Sequence, residues 1–178
     1  MSLPTFKAIA AICESGGLGM GGDLPWHLPP DLKHFARTTT ATRDAAKQNA
    51  VIMGRLTCET IPEKYWPLSG RRNAVITRSP DWKISGADIF ADLPSALLGL
   101  QSEVETLYVV GGGQIYTLAL EQEACEELIL TRIHARFECD AFFPQFESRY
   151  HLHDTLGGGE YDGLSYTIES WIRNTRTS

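Results

Sequence analysis

The stretch "TLYVVGGGQIYTLAL", residues 106–120, passes from an apolar, β-branched strand pattern through three glycines directly into a helical pattern. Gly111, Gly112 and Gly113 stand where the strand ends and the helix begins. Backbone amides at such a helix start favour anions, so this junction predicts a phosphate cradle at the edge of an α/β sheet. A tight strand-to-helix turn without a ligand is the alternative explanation for the same pattern.

A second glycine-rich stretch, "GGLGMGGDLPW" (residues 16–26), has the G-x-G-x-x-G spacing at Gly17, Gly19 and Gly22. That spacing marks a dinucleotide fingerprint only where the last glycine opens a helix. Here three prolines follow within residues 25–30. Because proline removes amide donors and keeps the preceding residue out of helical geometry, we reject the Rossmann interpretation. The stretch is either a pliant flap beside a site or a permissive surface loop.

Composition restricts the class of protein. A chain of 178 residues predicts one domain, residues 1–178, and 43% hydrophobic with 21% charged residues is typical of a soluble globular protein. We expect a cytoplasmic protein without a membrane segment. The net charge of −6 and the lack of a basic stripe argue against nucleic-acid binding. We expect a monomer, because no unexplained apolar helix face or bare strand is evident.

The four cysteines, Cys13, Cys58, Cys125 and Cys139, lie far apart in sequence and lack metal-ligand spacing. Most of them sit in apolar runs, where a free thiol packs as a small hydrophobic group. We therefore expect buried, reduced thiols and no metal site.

Apolar runs alternate with helical patterns along most of the chain. Continuous apolar and β-branched runs are typical of strands that are buried on both faces of a mostly parallel sheet. The predicted strands are residues 5–13, 49–54, 72–78, 87–92, 106–110 and 126–133. The predicted helices are residues 29–38, 57–61, 93–101 and 112–122.

The end of the chain has a different pattern. Residues 150–156 and 164–172 read as strands, and the turn-forming "GGGEYDG" (residues 157–163) joins them as an antiparallel hairpin. Strand–helix alternation followed by a hairpin predicts a three-layer α/β domain. Its mixed, mostly parallel sheet has about eight strands and is flanked by about four helices.

Asp31 is the first candidate for chemistry. On a helix that begins at the prolines, Leu32 and Phe35 lie about 100° and about 40° from it, which places the carboxylate on the apolar side. A partly buried carboxylate can pair with a planar donor such as an amino-heterocycle. An ordinary first-turn aspartate that interacts with the helix dipole is the alternative.

Two further strand ends carry cations. In "VIMGRLT" (residues 51–57) a strand runs into Arg55 and then Thr57, and in "VITRS" (residues 75–79) Arg78 follows a strand. Open α/β sheets bind ligands at the carboxyl ends of their strands. Each arginine alone reads as a solvated surface charge, whereas together with the glycine cradle they suggest a phosphorylated dinucleotide.

Six segments form an ordered set that is more specific than any one motif. They are "DLPWHLPPDLKHF" (23–35), "KQNAVIMGR" (47–55), "IPEKYWPLSGRRN" (61–73), "VVGGGQIY" (109–116), "LTRI" (130–133) and "FECDAFFP" (137–144). With them the chain resembles the dihydrofolate reductase family nearly end to end. The resemblance implies that family's fold and an oxidoreductase that uses NADPH to reduce 7,8-dihydrofolate to 5,6,7,8-tetrahydrofolate. Hydride goes to C6 and a proton to N5, and the product supplies one-carbon and thymidylate metabolism. Antifolate inhibitors are implied as ligands, and some family members are fused to thymidylate synthase.

The resemblance implies a substrate site around Asp31. Asp31 binds the amino-pyrimidine edge of the pteridine, supported by Thr131 and, through water, by Trp26. Arg71 pairs with the α-carboxylate of the folate glutamate. The loop after the first strand, "GGLGMGGDL" (residues 16–24), resembles the family's lid, and Leu24 and Trp26 form its hinge. The other implied substrate contacts are Ile9, Ala10, Leu32, Phe35, Ile61, Leu68, Val110 and Tyr116.

The resemblance also implies a cofactor site and a preference for NADPH over NADH. The nicotinamide is surrounded by Ala11, Leu18, Gly19 and Tyr116. The pyrophosphate is held by Gly112, Gly113, Gln114, Ile115 and Thr57. The 2′-phosphate is held by Arg55, Thr77 and Arg78. Further cofactor contacts are Gly54, Leu56, Ser79 and Val110.

The family also implies cis peptide bonds at Gly111–Gly112 and Trp66–Pro67, which glycine and proline permit. This sequence departs from the usual pattern at Cys58, where tryptophan is common, and at Ala141, where threonine is common. Tyr65 and Trp66 stand where the family commonly has a polar residue and a basic residue, and we expect this pair to alter the outer folate pocket.

Two other functions compete with this interpretation. A riboflavin-pathway reductase of similar fold could share the cofactor cradle, but it would need a phosphate site in place of Arg71. A non-catalytic pteridine- or dinucleotide-binding module could dispense with Asp31 and the lid glycines. The sequence leaves open whether Asp31 is charged in the free protein, because burial raises a carboxyl pKa and a helix amino terminus lowers it.

Overall fold

The computed structural model describes residues 2–176. The strands are β1 (Phe6–Ile12), β2 (Gly17–Gly19), β3 (Asn49–Gly54), β4 (Arg71–Ile76), β5 (Asp88–Phe90), β6 (Leu107–Gly111), β7 (Cys125–Ile133), β8 (Ala141–Phe142), β9 (Tyr150–Tyr161) and β10 (Leu164–Arg173). The helices are α1 (Pro29–Thr40), α2 (Arg55–Thr60), α3 (Leu93–Leu100) and α4 (Gly113–Glu121), and Glu63–Tyr65 forms a single 3-10 turn.

Eight strands form one mixed sheet in the order β5-β4-β3-β6-β1-β7-β10-β9. The strands from β5 to β7 are mutually parallel, and β10 and β9 complete the sheet in antiparallel fashion. This confirms the predicted mixed, mostly parallel sheet with a terminal hairpin. Because β1, β3, β4 and β6 are parallel, their carboxyl ends meet at one edge of the sheet, where open α/β sheets bind ligands.

Helices cover both faces of the sheet. Leu97 of α3 and Ala119 of α4 pack with alternate strand residues such as Ile52 in the largest core cluster. On the opposite face, Cys58 of α2 packs against Met53, and Phe35 of α1 packs on another cluster of that face. The three layers are therefore those expected from the alternating pattern.

The start of helix α1 determines where Asp31 lies. Pro29 and Pro30 occupy the first two helical positions, where the missing amide donors cost nothing. The helix runs two residues beyond the predicted range and ends at Thr40. Asp31 consequently lies in the first turn, above the sheet edge.

The predicted turn over residues 157–163 is wrong. Strand β9 continues through the three glycines, and Gly157, Gly158 and Gly159 pair with Ile168, Thr167 and Tyr166 of β10. The reversal occurs at Asp162 and Gly163, which have φ values of 50° and 78°. Two central residues with positive φ give the turn whose twist matches a hairpin, so two residues suffice where seven were expected.

The glycine-rich stretch at residues 16–26 contains a short strand that the sequence analysis did not predict. Gly17–Gly19 forms β2, which pairs antiparallel with β8.

Helix α2 begins at Arg55, two residues earlier than predicted. The peptide bonds Trp66–Pro67 and Gly111–Gly112 are both cis, as the resemblance implied. Within residues 2–176, no helix combines the length and the apolar character needed to cross a bilayer.

Candidate active site

Asp31 lies in a cleft between α1 and the sheet. Its Oδ1 accepts a hydrogen bond of 2.6 Å from the hydroxyl of Thr131 on β7. Thr131 is 1% exposed, so the bond is shielded from solvent. Asp31 and Thr131 are 100 residues apart in sequence, and the packing of α1 against the sheet brings them together.

Burial sets the charge of this carboxyl group. It raises the pKa of Asp31 above its ordinary value, while the Thr131 hydrogen bond and the charge of His34 lower that pKa in part. Among residues 2–176, no cation forms an ion pair with the carboxylate. A half-buried carboxylate that lacks a cationic partner is a recognition group for a planar, positively polarised donor.

A cavity of about 450 Å³ opens beside Asp31. Its wall is residues 23–28 together with Asp31 and Leu32. Trp26 is 7% exposed, and its buried indole Nε1 has no hydrogen-bond acceptor within the described residues. Leu24 is 47% exposed at the mouth of the cavity. The pocket is large enough for a bicyclic heterocycle and has a donor and an acceptor at its base.

Arg71 lies beside the C-terminal end of α1, whereas Asp31 lies in the first turn of that helix. Its Nη1 donates to Thr39 Oγ1 at 3.0 Å, and its Nε donates to the carbonyl of Ser69 at 2.9 Å. The guanidinium carbon is 5.8 Å from the centre of the Phe35 ring. Burial lowers the pKa of Arg71, and no carboxylate pairs with it among residues 2–176. This arginine is positioned to receive an anionic ligand group.

Apolar side chains connect the two polar ends of the cleft. Phe35 and Val110 pack on the cluster that contains Ile9, whereas Ile61 and Leu68 pack with Val110 on the neighbouring cluster. Ala10 is also a predicted substrate contact, and its side chain lies in the core cluster on the other face of the sheet. Alternation along β1 explains this, and leaves only the Ala10 backbone facing the cleft.

Tyr116 connects the cleft with the glycine cradle. It is 4% exposed, and its hydroxyl donates to the carbonyl of Ile9 at 2.6 Å. Burial raises the pKa of Tyr116 far above its ordinary value. The phenol is therefore a neutral structural donor that holds α4 against β1.

The predicted phosphate cradle lies where β6 meets α4. Gly112 precedes α4, and no side chain caps the first turn of this helix, so its first amides remain free to bind an anion. A Cβ on Gly112 would lie 3.0 Å from Thr57 Oγ1, and one on Gly113 would lie 3.1 Å from the carbonyl of Phe142. Only glycine leaves this room beside the helix start. Leu18 is close to the cradle, with its Cδ1 3.9 Å from the same position on Gly113.

The predicted cationic groups cluster beside this cradle. Arg55 forms an ion pair with Glu59 at 2.8 Å, and its Nη1 donates to Ser79 Oγ at 3.4 Å. The Ser79 amide in turn donates to Thr77 Oγ1 at 3.1 Å. A cavity of about 520 Å³ is lined by residues 77–80 and 82–84 on one side and residues 89–91 on the other. It suits a planar base with a phosphate at its rim.

The remaining predicted cofactor residues surround the same edge. A Cβ on Gly54 would lie 3.1 Å from Ile115 Cγ1, so these two residues are in contact. Ala11 is half-buried beside Trp26. Gln114 is exposed, and Leu56 is 78% exposed. The Leu56 side chain therefore packs little against the rest of the protein.

Two residues near the site were not predicted. His34 lies one turn after Asp31, its Nδ1 contacts Thr38 Oγ1 at 3.3 Å, and its buried Nε2 has no partner among residues 2–176. Burial lowers the pKa of His34, which Asp31 raises in part. Asp140 accepts a hydrogen bond of 3.0 Å from the Gly21 amide. The i, i+3 spacing from Asp31 could have indicated His34, whereas no local signal indicates Asp140.

Comparison of the chain with known proteins identifies one family. The dihydrofolate reductase family model matches residues 5–173. The dihydrofolate reductase of Aedes albopictus is 39% identical over 154 residues, which cover 83% of this chain and 83% of the relative. That of Drosophila melanogaster is 42% identical over 143 residues, or 78% and 79% of the two chains. The bifunctional dihydrofolate reductase-thymidylate synthase of Glycine max is 43% identical over 148 residues, which are 79% of this chain but 28% of that protein.

Proposed function

The chain belongs to the dihydrofolate reductase family, and from that premise we propose how its residues carry out the reaction. The reaction is the reduction of 7,8-dihydrofolate to 5,6,7,8-tetrahydrofolate, an oxidoreductase step in folate and one-carbon metabolism. NADPH, when bound, supplies the hydride that goes to C6 of the substrate, and N5 receives a proton. The observation that carries the proposal is the half-buried Asp31, bonded to Thr131 inside a cavity.

Asp31 binds the amino-pyrimidine edge of the pteridine. Its carboxylate accepts from the ring N–H and amino groups, and Thr131 orients it by donating to Oδ1. The substrate supplies positive polarisation at this carboxylate, which has no ion-pair partner among residues 2–176. Binding therefore favours the ionised form of Asp31, although burial in the free protein opposes it.

The rest of the substrate extends along the apolar cleft to Arg71. Leu32, Phe35, Ile61 and Leu68 contact the pteridine and benzoyl rings, and Arg71 pairs with the α-carboxylate of the glutamate. The half-buried position of Arg71 and its bonds to Thr39 and Ser69 support this role. A preorganised guanidinium loses little freedom when it binds a carboxylate.

The residues of the sheet edge fit NADPH. The uncapped start of α4 with Gly112 and Gly113 holds the pyrophosphate, and Thr57 donates to it. Arg55, Thr77 and Arg78 hold the 2′-phosphate, which is why NADPH is preferred to NADH. The glycine cradle supports this assignment, because any Cβ there would fill the space beside Thr57 or Phe142.

Asp31 stays ionised and polarises the pteridine, and it does not itself reach N5. The proton arrives from water at the lid, next to Leu24. The Trp26 Nε1 donates to a water that bridges to Asp31, which fits its buried donor without a protein acceptor. The lid excludes bulk water from the cleft while the substrate is bound.

We also propose that residues 1–178 form one domain, that the chain is a cytoplasmic monomer, and that antifolates bind the Asp31 cleft. The single sheet that spans Phe6 to Arg173 supports one domain. Free thiols support a reducing compartment. The exposed edge strand β9 carries Asp154 and Glu160, and charges on an edge discourage strand pairing between copies. Fusion to thymidylate synthase occurs in plant relatives.

The experiment that tests this proposal measures NADPH oxidation by absorbance with dihydrofolate present, beside NADH and beside Asp31→Asn. We expect turnover with dihydrofolate, a lower KM for NADPH than for NADH, and slow turnover by the variant at neutral pH. The variant should recover in part at low pH, where the substrate is already protonated. Equal turnover by both proteins at every pH would refute the role of Asp31. NADPH binding without turnover would favour a binding module instead.

A further inference from the structure

Two cysteines that are remote in sequence lie side by side next to the lid. Cys13 follows β1 directly, and Cys139 comes two residues before β8. They are 126 residues apart, yet their Sγ atoms are separated by 4.0 Å. Because a disulfide bond is about 2 Å long, a closing movement of about 2 Å would join them. The four cysteines are far apart in sequence, and only the tertiary fold brings this pair together.

Gly17 is what allows the two sulfur atoms to meet. A Cβ on Gly17 would overlap the Cys139 sulfur, would lie 2.7 Å from the Cys139 Cβ, and would lie 3.1 Å from the Cys13 sulfur. Gly17 is buried and its φ is not in the left-handed region, so backbone conformation does not require glycine here. The missing side chain serves the packing of the two thiols.

The two thiols differ in access and in acidity. Cys139 is partly exposed, whereas Cys13 is 1% exposed. Burial alone would raise the pKa of Cys13, but the Ser15 hydroxyl, 3.2 Å from the sulfur, and nearby backbone hydrogen bonds outweigh it and lower that pKa. Burial and the neighbouring Cys13 raise the pKa of Cys139. An external reagent therefore meets Cys139 first, and Cys13 is the better thiolate for a second step.

We propose that Cys13 and Cys139 form a reversible intrachain disulfide by exchange with a low-molecular-weight disulfide such as glutathione disulfide. The Cys139 thiolate attacks one sulfur of the reagent, and its S–S bond breaks to release one glutathione thiolate. The Cys13 thiolate then attacks the Cys139 sulfur and releases the second glutathione. The protein pair loses two electrons and two protons, and glutathione disulfide gains them as two thiols.

The disulfide would act on the lid through the segment that holds it. The Asp140 amide donates to the Gly19 carbonyl at 2.9 Å, and the Gly21 amide donates to Asp140 Oδ2 at 3.0 Å. The Phe143 amide donates to the Gly16 carbonyl at 2.9 Å. A covalent link from Cys139 to the end of β1 would restrict this whole set of contacts. This consequence rests on the proposed function, and it predicts slower turnover in the oxidised protein.

The other two cysteines provide internal controls. Cys58 is 3% exposed and Cys125 is not exposed. Neither has another thiol within hydrogen-bond reach in the part of the chain that the structure describes. Burial raises the pKa of both. Oxidation is therefore expected at one pair only.

The test incubates the folded, reduced chain with glutathione disulfide and analyses it by intact mass and by tryptic mapping without reductant. We expect the loss of two hydrogen atoms and a cross-link between peptides 8–33 and 137–149, which contain Cys13 and Cys139. Two of the four thiols should remain titratable after denaturation. Dithiothreitol should reverse every change. A chain that stops at mixed disulfides, or links other cysteines, would overturn the proposal.

Variants separate the disulfide from other oxidation. Cys13→Ser should stop at a Cys139–glutathione adduct, and Cys139→Ser should not react, whereas the matched control Cys125→Ala should form the cross-link as the parent chain does. Turnover of dihydrofolate should fall several-fold on oxidation in the parent and the control, and stay unchanged in Cys139→Ser. A cross-link that leaves turnover unchanged would refute the effect on the lid. A cross-link in a chain that never reduces dihydrofolate would refute the proposed function and leave the disulfide standing.

Discussion

Replacing Thr131 by valine removes the one described hydrogen bond that a side chain donates to Asp31. The bond is 2.6 Å long and Thr131 is 1% exposed, so no bulk water replaces the hydroxyl. Valine has nearly the same shape, and the change is therefore chemical rather than steric. Because the bond lowers the pKa of Asp31 while burial raises it, the pKa of Asp31 should rise further in the variant.

The size of the effect follows from the strength of the bond. A hydrogen bond to a charged group contributes about 1.5–3 kcal/mol, and each 1.4 kcal/mol corresponds to about a factor of ten. If dihydrofolate needs the ionised carboxylate, kcat/KM should fall roughly 10- to 100-fold at pH values where the variant is protonated and the parent is not. The ratio between the two proteins should narrow as the pH rises, since both carboxyl groups are then ionised.

The assay is the initial rate of NADPH oxidation with dihydrofolate, measured for both proteins from acidic to alkaline pH. Thr131→Ser is the matched control, because it keeps the hydroxyl and should keep the parent profile. The dissociation constant for NADPH should be the same in all three proteins, which separates the effect from misfolding. A valine variant whose activity stays in constant ratio to the parent across pH would refute the reasoning about the charge of Asp31.

Two further predictions concern stability and cofactor choice. Since the pKa of Asp31 is raised in the folded chain, its stabilising contribution is complete below the unfolded pKa and is lost as pH rises through the folded one. Asp31→Asn should accordingly stabilise the free protein at neutral pH by roughly 1 kcal/mol, or about 3 °C in melting temperature, and the gain should vanish in acid; calorimetry that shows no gain at neutral pH would contradict this. Arg78→Ser should raise KM for NADPH about tenfold, as expected for one lost charge-assisted phosphate contact, and leave KM for NADH unchanged; steady-state kinetics with both cofactors would expose an equal effect on each.

Local patterns predicted most of the scaffold, for reasons visible in single elements. Strand β3 is buried along nearly its whole length, and its apolar run in the sequence is continuous. Helix α1 begins at the two prolines that marked it. Such features depend on neighbours within a few residues, which the sequence displays directly. The hairpin turn was placed wrongly because the three glycines are good turn formers, and only their pairing with β10 keeps them extended.

The candidate site depended on more distant information. That Asp31 is a site acid was predictable from its place on α1, but its partner Thr131 entered the sequence analysis only through the resemblance. His34 and Asp140 were missed because their roles come from contacts and burial rather than from a motif. For Ala10, the alternation of β1 turns the side chain to the core, so any substrate contact there is made by its backbone.

The sequence by itself determined the chain order of the eight strands of the large sheet and of the four helices, the glycine cradle between β6 and α4, and the acid in the first turn of α1. These depend on backbone sterics and on the period of apolar residues, which act within one element. The tertiary structure decided which groups meet: Thr131 with Asp31, Arg71 with Phe35, and the Cys13 sulfur with that of Cys139. Those contacts join residues that are distant in sequence, and their free energies depend on burial and on strand register, neither of which exists until the whole sheet has formed.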